Sequence, residues 1–157
     1  MKKILLILMV IFVFGIQNVS AQDGIKIVTN HPDFDIKVKR CAASGKTVVI
    51  DMVFTNNSEN DVDMSIGIGN GWTVIHDDQG NEYKYNGITL KIANKAPEGH
   101  WVDFTLIAGV PTNVKWTITN VPVSVEQIAR MLFMTRCGAL SLNDTKTMIR
   151  NIPISRN

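Results

Sequence analysis

The sequence predicts an all-β domain, an antiparallel sandwich of about seven to nine short strands. Three observations carry that reading. Apolar residues recur with period two over most of the chain. Turn-forming residues interrupt the pattern about every ten residues. Only one stretch, Val125 to Cys137, is ambiguous between strand and helix.

Residues 1–21 stand apart from this pattern. Lys2 and Lys3 form a positive start, Ile4 to Ile16 is apolar throughout except at Gly15, and Val19-Ser20-Ala21 supplies small residues for cleavage. The apolar run is shorter than the ~20 residues of a membrane-spanning helix. The expectation is a signal peptide cleaved after Ala21 and an exported chain, periplasmic or extracellular, with no stable membrane insertion after cleavage. Residues 22–157 then form one domain of 136 residues, a common single-domain size.

Cleavage also changes the charge. The full chain has 16 basic and 14 acidic residues, and loss of Lys2 and Lys3 leaves the domain formally neutral. No basic excess argues for nucleic acid or an anionic surface. Lys37-Val38-Lys39-Arg40 reads as the solvated face of a strand.

The strands follow in order. Phe34, Ile36 and Val38 alternate with Asp35, Lys37 and Lys39, and Ala43-Ser44-Gly45 turns the chain. Val48, Ile50, Met52 and Phe54 return it as a hairpin. After the polar turn Asn56 to Asn60 come Val62, Met64, Ile66 and Ile68. Gly67, Gly69 and Gly71 interrupt that run before Trp72 to Ile75 resumes it. Asp77 to Gly80 is a turn by composition, with Tyr83 and Tyr85 sharing one face beyond it. Ile88, Leu90 and Ile92 form the next run, and Asn94 to His100 is a loop. Val102, Phe104 and Leu106, then Val114, Trp116 and Ile118, form two more. The composition of Val125 to Cys137 also suits a helix, and a first helical turn there is left open. The apolar Leu132-Phe133-Met134 favours a strand over Arg130 to Arg136. Thr147 to Ile154 is expected as the last strand.

Several of these segments have a familiar order: Cys41, Ser44-Gly45 and Val48-Val49-Ile50-Asp51; Thr55-Asn56-Asn57; Asp77-Asp78-Gln79-Gly80-Asn81-Glu82-Tyr83; Ala108-Gly109-Val110-Pro111; and Arg150-Asn151-Ile152-Pro153-Ile154. They resemble a group of small secreted immunoglobulin-like β-sandwich proteins from Gram-negative bacteria, mostly of unknown function. The resemblance spans nearly all of residues 22–157 and implies the immunoglobulin-like form of the sandwich. It rests on turns and strand ends, and it brings no functional residues with it.

Chemistry-bearing motifs are sparse. His31, His76 and His100 are far apart, and His76-Asp77-Asp78 places neighbours on opposite sides of an extended chain, a poor arrangement for metal ligands. In the segment Asp77, Asp78, Gly80, Asn81 and Glu82 the glycine comes too early for a calcium loop of the EF-hand kind. There is no nucleophile elbow, and neither cysteine has a nearby histidine in sequence. No enzyme, metal or cofactor is expected.

The most unusual feature is Gly67-Ile68-Gly69-Asn70-Gly71-Trp72. It is no phosphate loop, because neither a Lys-Ser/Thr pair nor a helix follows. Glycines within a strand mark a bulge or a close approach. Trp72 is read either as an exposed platform or as a cap on the core where a strand switches sheets. Trp116 is expected in the core, and Trp101 is undecided. Cys41 and Cys137 are either a structural disulfide or two thiols at opposite ends of the sandwich. The candidate interaction surface is a set of loops at one sandwich end: Gly69, Asn70, Gly71, Trp72, Asp77, Asp78, Glu82, His100 and Trp101. The expected partner is an envelope or extracellular protein, with a glycan or a purely structural envelope role as alternatives and no nucleic acid.

Overall fold

The computed structural model describes residues 24–29, 33–69, 71–137 and 142–156. The proposed signal peptide, His31 and Asn70 lie outside them. Twelve extended segments follow one another: β1 (Lys26–Val28), β2 (Phe34–Ser44), β3 (Thr47–Asn56), β4 (Val62–Gly67), β5 (Thr73–Asp77), β6 (Glu82–Tyr83), β7 (Ile88–Ile92), β8 (Trp101–Leu106), β9 (Thr112–Ile118), β10 (Gln127–Cys137), β11 (Leu142–Pro153) and β12 (Ser155–Arg156). Nine of them have five or more residues; the total of twelve exceeds the seven to nine expected because β1, β6 and β12 are pairings of only two or three residues. The ambiguous stretch is strand from Gln127 to Cys137, with no initial helical turn.

The segments form the two sheets of a β-sandwich. One has the order β1-β11-β10-β4-β8, with β5 and β6 continuing it beside β10, and the other has the order β12-β2-β3-β9-β7. Among the described residues all strand-to-strand pairings are antiparallel except the short parallel contact of β12 with β2, and Asn56 adds an isolated parallel bridge to Ala108. The period-two sequence pattern becomes alternation of burial: in β3, Val48, Ile50, Met52 and Phe54 point inward, and in β9 Val114, Trp116 and Ile118 do so. Phe133 of β10 stacks with Phe54 at 6.2 Å and lies 5.4 Å from Trp116, so three large rings join the two sheets at the centre.

The two ends are tied by polar groups. At one end Gly45, at φ +56°, makes the tight β2–β3 turn with Lys46. Arg156 there donates to the carbonyls of Gly45, Pro122 and Val125. At the other end Asn56 is fully buried. Its amide nitrogen donates to the carbonyls of Asn60 and Leu106, and its Oδ1 accepts from the backbone N–H and hydroxyl of Ser58.

Cys41 and Cys137 are both buried free thiols. The topology explains why the disulfide alternative is not realised. Ser155 of β12 donates to the Cys41 carbonyl near the Gly45 end. β10 leaves that same end at Gln127 and carries Cys137 to the opposite end, beside Met64. A disulfide requires Cα atoms within about 7 Å.

Candidate functional site

The glycine-rich segment splits a strand. β4 and β5 pair end to end along one edge of β10, with Gly67 opposite Met134 and Thr73 opposite the preceding residue, Phe133. Ile68, Gly69 and Gly71 are therefore looped out between two consecutive rungs, and the Trp72 carbonyl rejoins β10 by accepting from the Met134 N–H. The strand stays within one sheet and does not switch. The loop is closed at its base by the Thr73 hydroxyl, which donates to the Gly67 carbonyl at 2.6 Å. Trp72 N–H donates to the Gly69 carbonyl and Ile68 N–H to the His100 carbonyl. The excursion is thus held to the chain entering β8.

Two glycines let the tryptophans lie flat against this notch. A Cβ at Gly67 would stand 3.0 Å from Cη2 and Cζ3 of Trp101, and one at Gly69 would stand 2.8 Å from Cε3 of Trp72. The rings of Trp72 and Trp101 are 4.5 Å apart. His100 meets Trp72 edge-on at 6.0 Å and Tyr85 at 4.9 Å. The Arg136 guanidinium lies 3.9 Å from the centre of the Trp101 ring. Ser65 stands between Arg136 and Asp103 in the register, and Gly67 between Met134 and Trp101, so small residues on β4 let the cation reach across it.

Trp72 and Trp101 are half-buried, while His100, Tyr85 and Arg136 are exposed. Next to them on the outer face runs the register row Val74–Leu132–Met148–Val28. Val28 is 53% exposed. Aromatic, cationic and aliphatic surface is therefore continuous at this corner.

The expected grouping of three loops at one sandwich end needs correction. Gly69, Gly71, Trp72, His100 and Trp101 gather at the notch, partway along the sheet edge. Asp77, Asp78 and Glu82 belong to the β5–β6 hairpin at the Gly45 end. Asp77 is no surface group at 3% exposure. Its carboxylate accepts from the backbone N–H groups of Gln79 and Asn81, from Asn81 Nδ2 and from the Tyr83 hydroxyl. Burial opposes its charge, but these hydrogen bonds hold its pKa below the usual carboxylate value. Asp77 is the hub of a turn, its lone pairs already engaged. Asp78 Oδ2 accepts from Glu126 N–H. Glu82 pairs with Lys84 at 2.6 Å and with His76 at 3.5 Å, and the Lys84 hydrogen bond lowers its pKa.

Tyr85 and Arg136 were not legible as site residues. Tyr83 is buried at the end of β6, whereas Tyr85 opens a single 3-10 turn and is 36% exposed, so the two do not share a face. Arg136 is one outward residue of a strand whose partners sequence alone does not give.

No protein-family model matches the chain, and no curated protein matches it either. Solved structures do. A family 123 glycoside hydrolase from Clostridium perfringens aligns at 10% identity and TM-score 0.44, over 85% of this chain but 27% of its own. The N-terminal domain of PorA aligns at 15% identity and TM-score 0.36, over 79% of this chain and 97% of that domain. The CooA pilin subunit of enterotoxigenic Escherichia coli aligns at 10% identity and TM-score 0.35, over 80% and 98%. This chain thus spans about a quarter of the hydrolase. The two packed sheets define the class of this chain, a β-sandwich module.

Proposed function

We propose that this protein is an exported, non-enzymatic binding module that docks a protein partner at the Trp72–Trp101 corner. The observation that carries the reading is the composition and build of that corner. Trp, Tyr and Arg are the residues most enriched where interface binding energy concentrates. Here they stand together on an outer sheet face, on glycines that allow the rings to lie against the strand. Half-buried rings are already ordered before a partner arrives, which lowers the entropic cost of binding. Arg136 already covers part of the Trp101 ring, which favours a protein surface over a stacked sugar. Export rests on the signal-like residues 1–21.

The test is affinity capture with tagged residues 22–157 from envelope and culture extracts, with and without calcium. Binding should be lost in Trp72→Ala and Trp101→Ala, and weakened in His100→Ala and Arg136→Ala, with melting temperature as the control for folding. A partner retained equally by all four folded variants would end this reading.

A further inference from the structure

The opposite sheet carries a second surface of different chemistry. The chain beyond residue 21 is neutral, yet on the outer face of this sheet cations outnumber carboxylates. The outer face of the five-stranded sheet presents Lys37, Lys39, Arg40, Lys91 and Lys115, all exposed. Register places Lys91, Lys115, Asp51 and Arg40 in one row across β7, β9, β3 and β2. Neighbouring strands lie about 4.8 Å apart, so the row spans about 14 Å.

A bulge in β2 concentrates this charge. The register shifts between Val38 and Arg40. Val38 and Cys41 stay buried, and both Lys39 and Arg40 turn outward. A regular strand would have sent one of these two neighbours inward. Asp51 is the one carboxylate within the array among the described residues, with Asp35 at its far end. Asp51 is engaged by Arg40 at 2.7 Å and by Lys115 at 3.9 Å. Lys37, Lys39 and Lys91 have no ion pair among the described residues. Lys39, Lys91 and Lys115 border a depression of about 350 Å³ that is also lined by Asn113.

We propose that this face binds a linear acidic polysaccharide. The cations match carboxylate or sulfate groups spaced along a chain. Uncharged polar side chains flank the Lys91–Lys115 row, Asn113 on one side and the cross-strand pair Thr89 and Thr117 on the other, and suit sugar hydroxyls, with Val49 and Val53 of β3 between the strands that carry the cations. No aromatic side chain projects from this face among the described residues, so it lacks the stacking platforms used for single-stranded nucleic acid. A five-stranded sheet face also fits no duplex groove, which admits a helix or a two-stranded ribbon. This surface and the Trp72–Trp101 corner lie on opposite sides of the sandwich, and each stands or falls without the other.

The experiment measures binding of the purified protein to polygalacturonate and heparin against salt. Poly-glutamate, oligo-thymidine and phosphatidylserine vesicles serve as probes at equal charge. The expected result is salt-sensitive binding to both polysaccharides, tighter than to the other three probes. Lys91→Gln with Lys115→Gln should weaken it about tenfold and reduce the salt slope by about two. Asp51→Asn should strengthen it, whereas His100→Ala and Arg136→Ala should leave it unchanged. Melting temperatures confirm that the variants fold. Failure to bind either polysaccharide overturns the proposal, as does an unaltered double variant. Equal or tighter binding to poly-glutamate, oligo-thymidine or vesicles overturns it too, and assigns the face to that other class.

Discussion

The Trp101 ring rests on Gly67, where a Cβ would come within 3.0 Å of two ring carbons. Gly69 stands in the same relation to Trp72, at 2.8 Å. Neither glycine has a positive φ, so the need is for space. Gly67→Val and Gly69→Ala should each displace a tryptophan without the strain of a left-handed backbone. The expected signs are a changed near-ultraviolet circular dichroism spectrum and red-shifted emission, with a modest stability loss of about 1–3 kcal/mol. Unchanged spectra in both variants would show that the rings do not pack on these positions.

Asn56 satisfies four hydrogen bonds at the opposite end while fully buried. Asn56→Ala leaves the carbonyls of Asn60 and Leu106 and the Ser58 donors without that partner. A loss of about 2–4 kcal/mol is expected in urea unfolding, because buried orphaned polar groups carry their full desolvation cost. Asn56→Asp should be at least as harmful, since it replaces both amide donors with acceptors and adds a buried charge. A loss below about 1 kcal/mol for both would sink this assignment.

Asp77 gives acid sensitivity with a definite sign. Its folded-state pKa is lowered by donors from Asn81, Tyr83 and Gln79, against the opposing effect of burial. Its contribution to stability is therefore fully present above the unfolded carboxylate value of about 3.9. It is lost as pH falls through the lower folded value. Tyr83, whose pKa is raised by burial and by Asp77, stays protonated and donating through this range. Asp77→Asn should lower stability at neutral pH and flatten its decline in acid. Parallel stability–pH curves for wild type and variant would contradict this.

The two thiols should be inert in the folded protein. Burial pushes the Cys41 pKa up to about 12; Arg156 works against this shift and Asp51 adds to it. Cys137 is 4% exposed. Titration with a thiol reagent should detect almost no reaction until denaturant is added, and then two thiols per chain. Reductant should leave the melting temperature unchanged. Prompt native labelling, or a melting temperature lowered by reductant, would refute the free, buried pair.

Most of the fold was legible because burial follows simple alternation. Val48 to Phe54 and Val114 to Ile118 declare their inward faces in the sequence. What escaped depends on pairing between distant strands. The juxtaposition of Arg136 and Trp101 requires β10, β4 and β8 to align in one register. The basic face requires Lys91 and Lys115 to meet β2 through the contacts β7–β9, β9–β3 and β3–β2, and a bulge that turns Lys39 and Arg40 to the same side. Asp77 looked like surface from its Asp-Asp-Gln-Gly context. Its burial follows from Tyr83 folding back to donate to it.

Trp116 offers a final test of how the core balances volume against polarity. Its side chain is fully buried between the sheets, and Nε1 has no hydrogen-bond partner among the described residues. Trp116→Ala removes the whole ring from contact with Phe133 and should cost about 3–5 kcal/mol. Trp116→Phe keeps an aromatic ring at that site and removes the unsatisfied donor. Relief of that donor's desolvation cost, about 1–3 kcal/mol, offsets part of the lost volume. Chemical denaturation should therefore place Trp116→Phe much closer to wild type than to Trp116→Ala. Equal losses for the two would mean that the indole N–H has a partner after all and that its polarity stabilises the core.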